Sequence, residues 1–372
     1  MLLVTPLYAP SLGGVQTCAR EVATRLVKRR VDARVLTADP THRLPRTEML
    51  DGVPVQRVPA WPRHQDYGFA PAIGPVIRRA RSDVIHVQCY QTLVAPIAMN
   101  AAWRSRTPYV VTFHGGGHSS TVRHSLRRAQ LNILGPLLAR SAALVATAEW
   151  EIEHYSSILG LAQSRFVLIP NGGDLPVPVD PPSPARGTLI VSVGRAERYK
   201  GHHRVLAALP HVLKELPDAR LWIAGEGPYE PQLEQLARRL GVADRVEIRA
   251  EHDRAAYAQR LAGASVAALL SDFESHPMAA LEAISLGVPM LVADNSGLAE
   301  LAAHGHADAV SPSADSRVVA AEMIRLVKHP PRRRAPAVIS SWEACVDQHE
   351  LLYARVLGNR IRAPGAATAG LR

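Results

Sequence analysis

Leu189-Ile190-Val191-Ser192-Val193-Gly194-Arg195-Ala196-Glu197-Arg198-Tyr199-Lys200-Gly201-His202 reads as a strand, a cationic loop and the start of a helix. The apolar run is too short for a helix and is expected to be buried on both faces, as in a parallel sheet. Arg195 and Lys200 stand in the loop. In open α/β sheets ligands meet the carboxyl ends of the strands, which would put both cations at the edge of a cleft. The same unit recurs in both directions. From 188–193 onward, strands are expected at 219–224, 245–249, 265–270, 289–293 and 308–311, with helices at 202–214, 229–240, 253–262, 277–286 and 315–328. Upstream, strands are expected at 1–5, 33–38, 53–58, 83–88, 108–113, 142–147 and 165–169, with helices at 15–30, 91–103, 122–139 and 149–160. Between the two series, residues 174–184 hold five prolines in eleven positions. Such a segment continues neither a helix nor a central strand, so it reads as a linker. The expected domains are 1–172 and 173–340, with a further helix at 341–358 capped by Ser341 and a loose tail at 359–372. The fold class is α/β, one doubly wound plan used twice with a cleft between.

Length and composition agree. The chain has 372 residues, 47% of them apolar, which suits two domains with substantial cores. No apolar run approaches the 18 residues of a membrane span, and residues 1–7 read as a first buried strand rather than a signal peptide. The three cysteines (Cys18, Cys89, Cys345) are far apart, which argues for a reducing, cytoplasmic setting and against a disulfide framework or a zinc site. The net charge of +10 is lopsided: residues 1–170 hold 20 Lys+Arg against 10 Asp+Glu, and residues 171–372 hold 23 of each. Positive charge gathered in one half implies an anionic partner. A GC-rich genome would explain the preference for Arg over Lys, but not that distribution.

Phe273-Glu274-Ser275-His276-Pro277-Met278-Ala279-Ala280-Leu281-Glu282-Ala283 carries two glutamates eight residues apart. Pro277 suits the first turn of a helix and Gly287 its end, so Glu274 lies in the preceding loop and Glu282 inside the helix. The carboxylates are then separated by roughly 10 Å along the axis. Between them the helix start offers free N–H groups and a positive dipole end, where a phosphate binds readily. A nucleotide-sugar fits this layout, since carboxylates accept hydrogen bonds from sugar hydroxyls. A plainer reading has Glu274 capping the helix and Glu282 meeting a core cation.

Together with Val167-Leu168-Ile169-Pro170-Asn171-Gly172 and Gly225-Glu226-Gly227-Pro228, these segments resemble the retaining glycosyltransferases of family 4, over nearly the whole chain. The resemblance implies the two-domain GT-B fold, with an acceptor-binding first domain and a donor-binding second domain. It also implies that helix 341–358 returns to the first domain. Arg195 and Lys200 would hold the donor diphosphate, Glu282 the ribose hydroxyls and Glu274 hydroxyls of the transferred sugar. The main-chain N–H groups of Ser275, His276, Met278 and Ala279 are placed to meet sugar and phosphates. Many members have glycine and an aromatic residue where Ser275 and His276 stand, which leaves the donor sugar open. Gly225 and Arg249 would border the base. No cofactor is implied, the nucleotide-sugar being a co-substrate. No metal is expected: there is no Asp-x-Asp at a strand end and no ligand cluster of the right spacing.

In the first half, Gly13-Gly14 opens a helix and permits close approach of a ligand, although a plain turn explains it as well on local grounds. His114, at a strand end beside Gly115-Gly116-Gly117, would lie near the transferred sugar. His118 reads as exposed, His86 and Gln88 stand at the cleft rim or in the core, and Glu149 reads as a helix cap. Arg123, Arg127, Arg128 and Arg140 flank an apolar stripe over 123–140, which can lie on an anionic membrane or face the core as an ordinary surface helix. Gly135-Pro136 would kink it. The expected partners are a nucleoside diphosphate sugar and an acceptor lipid, polysaccharide or small metabolite. Two other classes fit less well. A nucleotide-dependent oxidoreductase needs a Gly-x-Gly-x-x-Gly that neither half provides. A nucleic-acid binder needs aromatics among its basic residues, and the first half has few.

Overall fold

The computed structural model describes residues 1–11, 13–63, 68–115, 121–176, 187–331 and 340–358, and the side chains of all of these but 121–127. The first domain is built on β1 (Leu2–Thr5), β2 (Arg34–Asp39), β3 (Thr47–Leu50), β4 (Val53–Pro59), β5 (Ile85–Gln88), β6 (Tyr109–Thr112), β7 (Ala143–Ala146) and β8 (Phe166–Leu168). They form one sheet in the order β3-β4-β2-β1-β5-β6-β7-β8. Its helices are α1 (Gly14–Lys28), α2 (Ile73–Arg79), α3 (Val94–Arg104), α4 (Thr121–Ala139) and α5 (Glu149–Leu159). The second domain has β9 (Leu189–Val193), β10 (Arg220–Ala224), β11 (Val246–Ile248), β12 (Val266–Leu269), β13 (Met290–Ala293) and β14 (Asp308–Val310), in the order β11-β10-β9-β12-β13-β14. Its helices are α6 (His202–Glu215), α7 (Glu230–Arg239), α8 (Arg254–Ala262), α9 (Met278–Ser285), α10 (Ser296–Ala303) and α11 (Ser316–Lys328), and α12 (Trp342–Val356) follows. Every strand pair is parallel except β3 with β4.

The central strands are buried along their whole length, as their unbroken apolar runs require. Helices cover both faces with apolar stripes. One such stripe is Cys18, Ala19, Val22, Ala23 and Leu26 of α1. Strand order reverses between β1 and β5 and again between β9 and β12. A crevice opens beyond the carboxyl ends of the strands at such reversals. Four segments of the sequence argument therefore share one region: Gly13-Gly14 after β1, Gln88 ending β5, Arg195–Lys200 after β9, and Ser271–Ser275 after β12.

Three elements escape the pattern reading. β3 is an edge strand of alternating exposure, joined to β4 by Asp51 (φ 52°) and Gly52 (φ 81°). An Asp-Gly pair with both φ values positive is a tight hairpin turn, so the signal was present but the strand was too polar to stand out. α2 and α10 span only seven and eight residues. Gly74-Pro75 and Gly297 interrupt them early, which hides helical periodicity.

Helix α12 packs on the first domain, joining Trp342, Cys345, Val346, Leu352 and Tyr353 to the cluster that holds Cys18, Val22 and Leu26. Arg29, at the C-terminal end of α1, donates to Glu343, Asp347 and Glu350 of α12 at 2.5–2.7 Å. Ser341 caps the helix, accepting from Ala344 N–H. The two crossings between domains are tied together: Gly173 N–H donates to Ser340 O and Trp342 N–H to Asp174 Oδ1, at 2.9 and 2.6 Å. A Cβ on Gly172 would lie 2.3 Å from Trp342 N, so only glycine fits there. Most of the proline-rich segment, 177–186, falls outside the described residues.

Candidate active site

The cationic loop after β9 is stitched to the loop after β12. Gly201 has φ 75°, and a Cβ there would lie 1.9 Å from Leu270 O. Asp272 N–H donates to Tyr199 O at 2.7 Å. This close approach delivers Lys200 to Glu274: Nζ lies 2.6 Å from Oε1, with only 15% and 10% of the two side chains exposed. Ser271 Oγ donates to the same oxygen at 2.7 Å. Burial pushes the Lys200 ammonium towards neutrality, but Glu274 beside it outweighs that, and its pKa rises above the ordinary lysine value. His202 holds the loop from beneath, with Nδ1 2.8 Å from Ser192 Oγ and Nε2 3.0 Å from Arg195 O. Arg195 reaches further out, pairing with Glu197 at 3.1 Å with half its side chain exposed.

The backbone of the Glu274 loop is clamped from α10. Glu274 N–H donates to Ser296 Oγ at 2.9 Å and Gly297 N–H to Glu274 O at 3.0 Å. Ser296 adopts φ 44°, a left-handed conformation that a non-glycine residue keeps only when its surroundings impose it. Helix α9 then starts at Met278 after Pro277, with no side-chain cap. Glu274 therefore does not cap it; its carboxylate is given to Lys200. Of the four N–H groups expected to face a ligand, that of Met278 is engaged by His276 O at 2.9 Å. Glu282 is buried in α9 and accepts from Arg254 Nη1 at 2.8 Å. Burial raises its pKa, with Arg254 pulling the other way. The plainer reading of the pair thus holds for Glu282, which does meet a cation, and fails for Glu274. Gly225 is required where it stands, since a Cβ would lie 1.9 Å from Gly194 O. Arg249 is exposed between Glu247 and Glu251, at 3.3 and 3.6 Å.

Across the cleft the buried histidines are held neutral. His114 is buried, with Nε2 2.5 Å from Gln88 Oε1. Burial pushes its pKa down to about 3, helped by the nearby His349 and His276. His86 and Gln88 are fully buried rather than at a rim. His86 bonds Thr112 Oγ1 and Tyr353 OH, each at 2.6 Å. His118 lies outside the described residues. Glu149 caps nothing; its N–H and that of Trp150 donate to Glu300 on α10 at 3.3 and 3.4 Å. Leu131, Leu134 and Leu138 of α4 are buried, so the apolar stripe faces the core, while Ile133 and Arg128 point outward. The side chains of Arg123 and Arg127 lie outside the described residues.

The two faces touch at a residue the sequence did not single out. Glu151 of α5 is wholly buried and accepts from Thr147 N–H, Thr147 Oγ, Gly115 N–H and, from the second domain, Ser275 Oγ. Burial raises its pKa to about 7, against the pull of these donors. Trp150 Nε1 donates to Ser275 O at 3.1 Å, and the Trp150 ring meets Phe273 edge-on. A Cβ on Gly14 would lie 3.9 Å from Met278 Cγ, so the Gly13-Gly14 turn faces the start of α9. His276 is wedged at the same place, its Nδ1 buried without a hydrogen-bond partner among the described residues. Burial lowers its pKa to about 4. Among the described residues no group of three or more His, Cys, Asp or Glu is arranged to hold a metal ion. None of their helices is long and apolar enough to cross a membrane.

Comparison with known proteins accounts for both halves. Residues 13–172 match the model described as glycosyl transferase 4-like domain, and residues 178–337 match glycosyl transferases group 1. The chain is 27% identical to a glycogen synthase of Mycobacterium tuberculosis, covering 91% of this chain and 88% of that one. It is 26% identical to the GDP-mannose:cellobiosyl-diphosphopolyprenol alpha-mannosyltransferase of Xanthomonas oryzae pv. oryzae, covering 77% and 76%. Its fold is similar to that of Anabaena HepE in complex with UDP and glucose, with a TM-score of 0.76 at 19% identity over 95% of this chain and all of that one. Two parallel sheets facing one cleft, each half matched by its own glycosyltransferase model, mean that this chain belongs to the group 1, family 4 glycosyltransferases and has the GT-B fold.

Proposed function

We propose that this glycosyltransferase moves a hexose-type sugar from a UDP- or GDP-sugar to an acceptor hydroxyl with retention, forming an α-glycosidic bond without a bound metal. The observation that carries the reading is the buried Lys200–Glu274 pair in the loops before α6 and α9. Breaking a sugar–diphosphate bond leaves charge on the diphosphate. Lys200, paired with Glu274 ahead of α9, and Arg195 stabilise that charge more in the transition state than in the ground state. Glu274 orients Lys200 and accepts from sugar hydroxyls, while His276 Nδ1, without a hydrogen-bond partner among the described residues, offers one more polar contact. Glu282, with Arg254, takes the ribose. Gly13-Gly14 lets the first domain approach the phosphates. Gly225 and Arg249 border the base. Glu274 is committed to Lys200 and Ser271, and no other carboxylate among the described residues is given a nucleophile's role, so the acceptor attacks from the face the diphosphate leaves, with a phosphate oxygen taking its proton.

Support for the donor class comes from relatives whose names carry GDP-mannose and a neighbour bound to UDP and glucose. The basic first half suits an anionic acceptor, and the acceptor is a lipid, a polysaccharide or a small metabolite. Contact with an anionic membrane surface through 123–140 would be electrostatic, because Leu131, Leu134 and Leu138 of that helix face the core. We place the protein in the cytoplasm, without nucleic acid as a partner. The test is turnover across a panel of UDP-, GDP- and ADP-sugars by wild type, Glu274→Ala and Arg195→Ala, with the anomeric configuration of the product read by proton NMR. One preferred donor, an α-product from an α-linked donor, and loss in both variants are expected. An inverted product would refute retention, and no turnover of any donor would refute the donor class.

A further inference from the structure

A chain of buried hydrogen bonds runs behind His114, and its partners come from three places in the sequence. His114 Nε2 lies 2.5 Å from Gln88 Oε1. The Gln88 amide nitrogen lies 3.3 Å from His86 Nε2. His86 Nδ1 lies 2.6 Å from Tyr353 OH on α12, and its Nε2 lies 2.6 Å from Thr112 Oγ1 on β6. The amide turns its oxygen to His114, while its nitrogen rests over the His86 ring, 3.3 and 3.5 Å from Nε2 and Nδ1. A carbonyl oxygen only accepts, so the proton between Gln88 and His114 belongs to His114 Nε2. His86 is held at both ring nitrogens, by Thr112 Oγ1 and Tyr353 OH, and so gives the Gln88 amide a fixed ring to rest against.

From this we infer that Gln88, anchored through His86 by Tyr353, is a positioning residue that fixes His114 as the Nε2–H tautomer and so leaves Nδ1 as a hydrogen-bond acceptor. Its functional consequence rests on the glycosyltransferase reading: His114 would recognise a sugar hydroxyl that donates, and would stay uncharged while the diphosphate departs. The titratable groups around the ring agree with neutrality. His86 and His349 stand behind it, His276 faces it from the second domain, and burial holds all three below the ordinary histidine range. None supplies the negative charge that would make an imidazolium.

The tautomer is measurable on the full chain without any donor, which separates this inference from the reaction class. Histidine is labelled with 15N, and long-range proton–nitrogen spectra are recorded from pH 5 to 8, with His114→Asn identifying the signal. We expect a single Nε2–H pattern that does not titrate above pH 5. Gln88→Leu should replace it with the Nδ1–H form or a mixture of both. Gln88→Glu should raise the titration midpoint by about one to three pH units, because a carboxylate favours the charged ring. A wild-type Nδ1–H pattern would overturn the inference even if no variant folds. So would a His114 signal left unchanged in Gln88→Leu.

Discussion

The two faces of the cleft are built from opposite chemistry. The second domain presents charges in pairs, Lys200 with Glu274 and Arg254 with Glu282. The first domain presents His114, Gln88, His86 and Tyr353, kept neutral by burial and satisfied by one another. A charged leaving group calls for fixed cations, and a neutral sugar ring calls for fixed acceptors and donors. The division also separates what each face needs to fold. The charged face is stitched by contacts within one domain, Gly201 against Leu270 and Ser296 against Glu274. The neutral face is completed only when α12 brings Tyr353 and His349 back to it.

The largest break in this comparison should come from α12. Trp342→Ala removes a fully buried indole at the crossing between the domains and should cost about 3–5 kcal/mol by thermal or chemical unfolding. A loss under 1 kcal/mol would show that the neutral face does not depend on that helix. On the charged face, Lys200→Ala should lower turnover by roughly 100-fold or more. The substitution leaves the buried Glu274 carboxylate with Ser271 as its remaining hydrogen-bond partner among those described. Glu282→Ala should act mainly on donor affinity, weakening it roughly tenfold through loss of a charged hydrogen bond, with turnover at saturation less affected. An equal loss in turnover would move Glu282 from ribose binding to the reacting centre.

Acid should act first through the buried histidines of both faces. His86, His114, His202, His276 and His349 all have folded pKa values below the free value of 6.5, because burial disfavours the charged ring. Below that value the unfolded chain binds more protons than the folded one. Stability from these groups is full above about pH 6.5 and is lost as pH falls towards their folded values. Glu151 and Glu282 run the other way: their raised values favour the fold in acid, and that advantage is lost as pH rises from 4.5, for Glu151 through about 7. These histidines, with His154 and His203 lowered in the same way, outnumber the two carboxylates and predict a melting temperature that drops on going from pH 7 to pH 5. A flat profile over that window would contradict it. The smallest effect belongs to Arg29→Ala, whose acidic partners on α12 are partly solvated; a loss of about 1 kcal/mol or less is expected by unfolding.

The charged face was the more legible in sequence, for a physical reason. Arg195, Lys200, Glu274 and Glu282 sit at strand ends and a helix start that local patterns mark, and the βα alternation marks the doubly wound plan that carries them. What sequence concealed is contact at long range. Glu151 stands in an ordinary helix, and only the packing of α5 on the Ser275 loop turns it into the carboxylate that joins the domains. Gln88 and His86 look like the end of any buried strand until Tyr353, some 265 positions later, reaches them. Glu149 looked like a cap because its position suits one; the second domain supplies Glu300 to that helix start instead.

The most direct test of the division is calorimetric binding of the bare nucleoside diphosphate, UDP or GDP, to wild type, Lys200→Ala and His114→Ala. Lys200→Ala should lose diphosphate affinity, whereas His114→Ala should bind the diphosphate as wild type does and fail only with the intact nucleotide-sugar. Equal losses of diphosphate affinity in both variants, or none in Lys200→Ala, would contradict the assignment of charge to one face and sugar to the other.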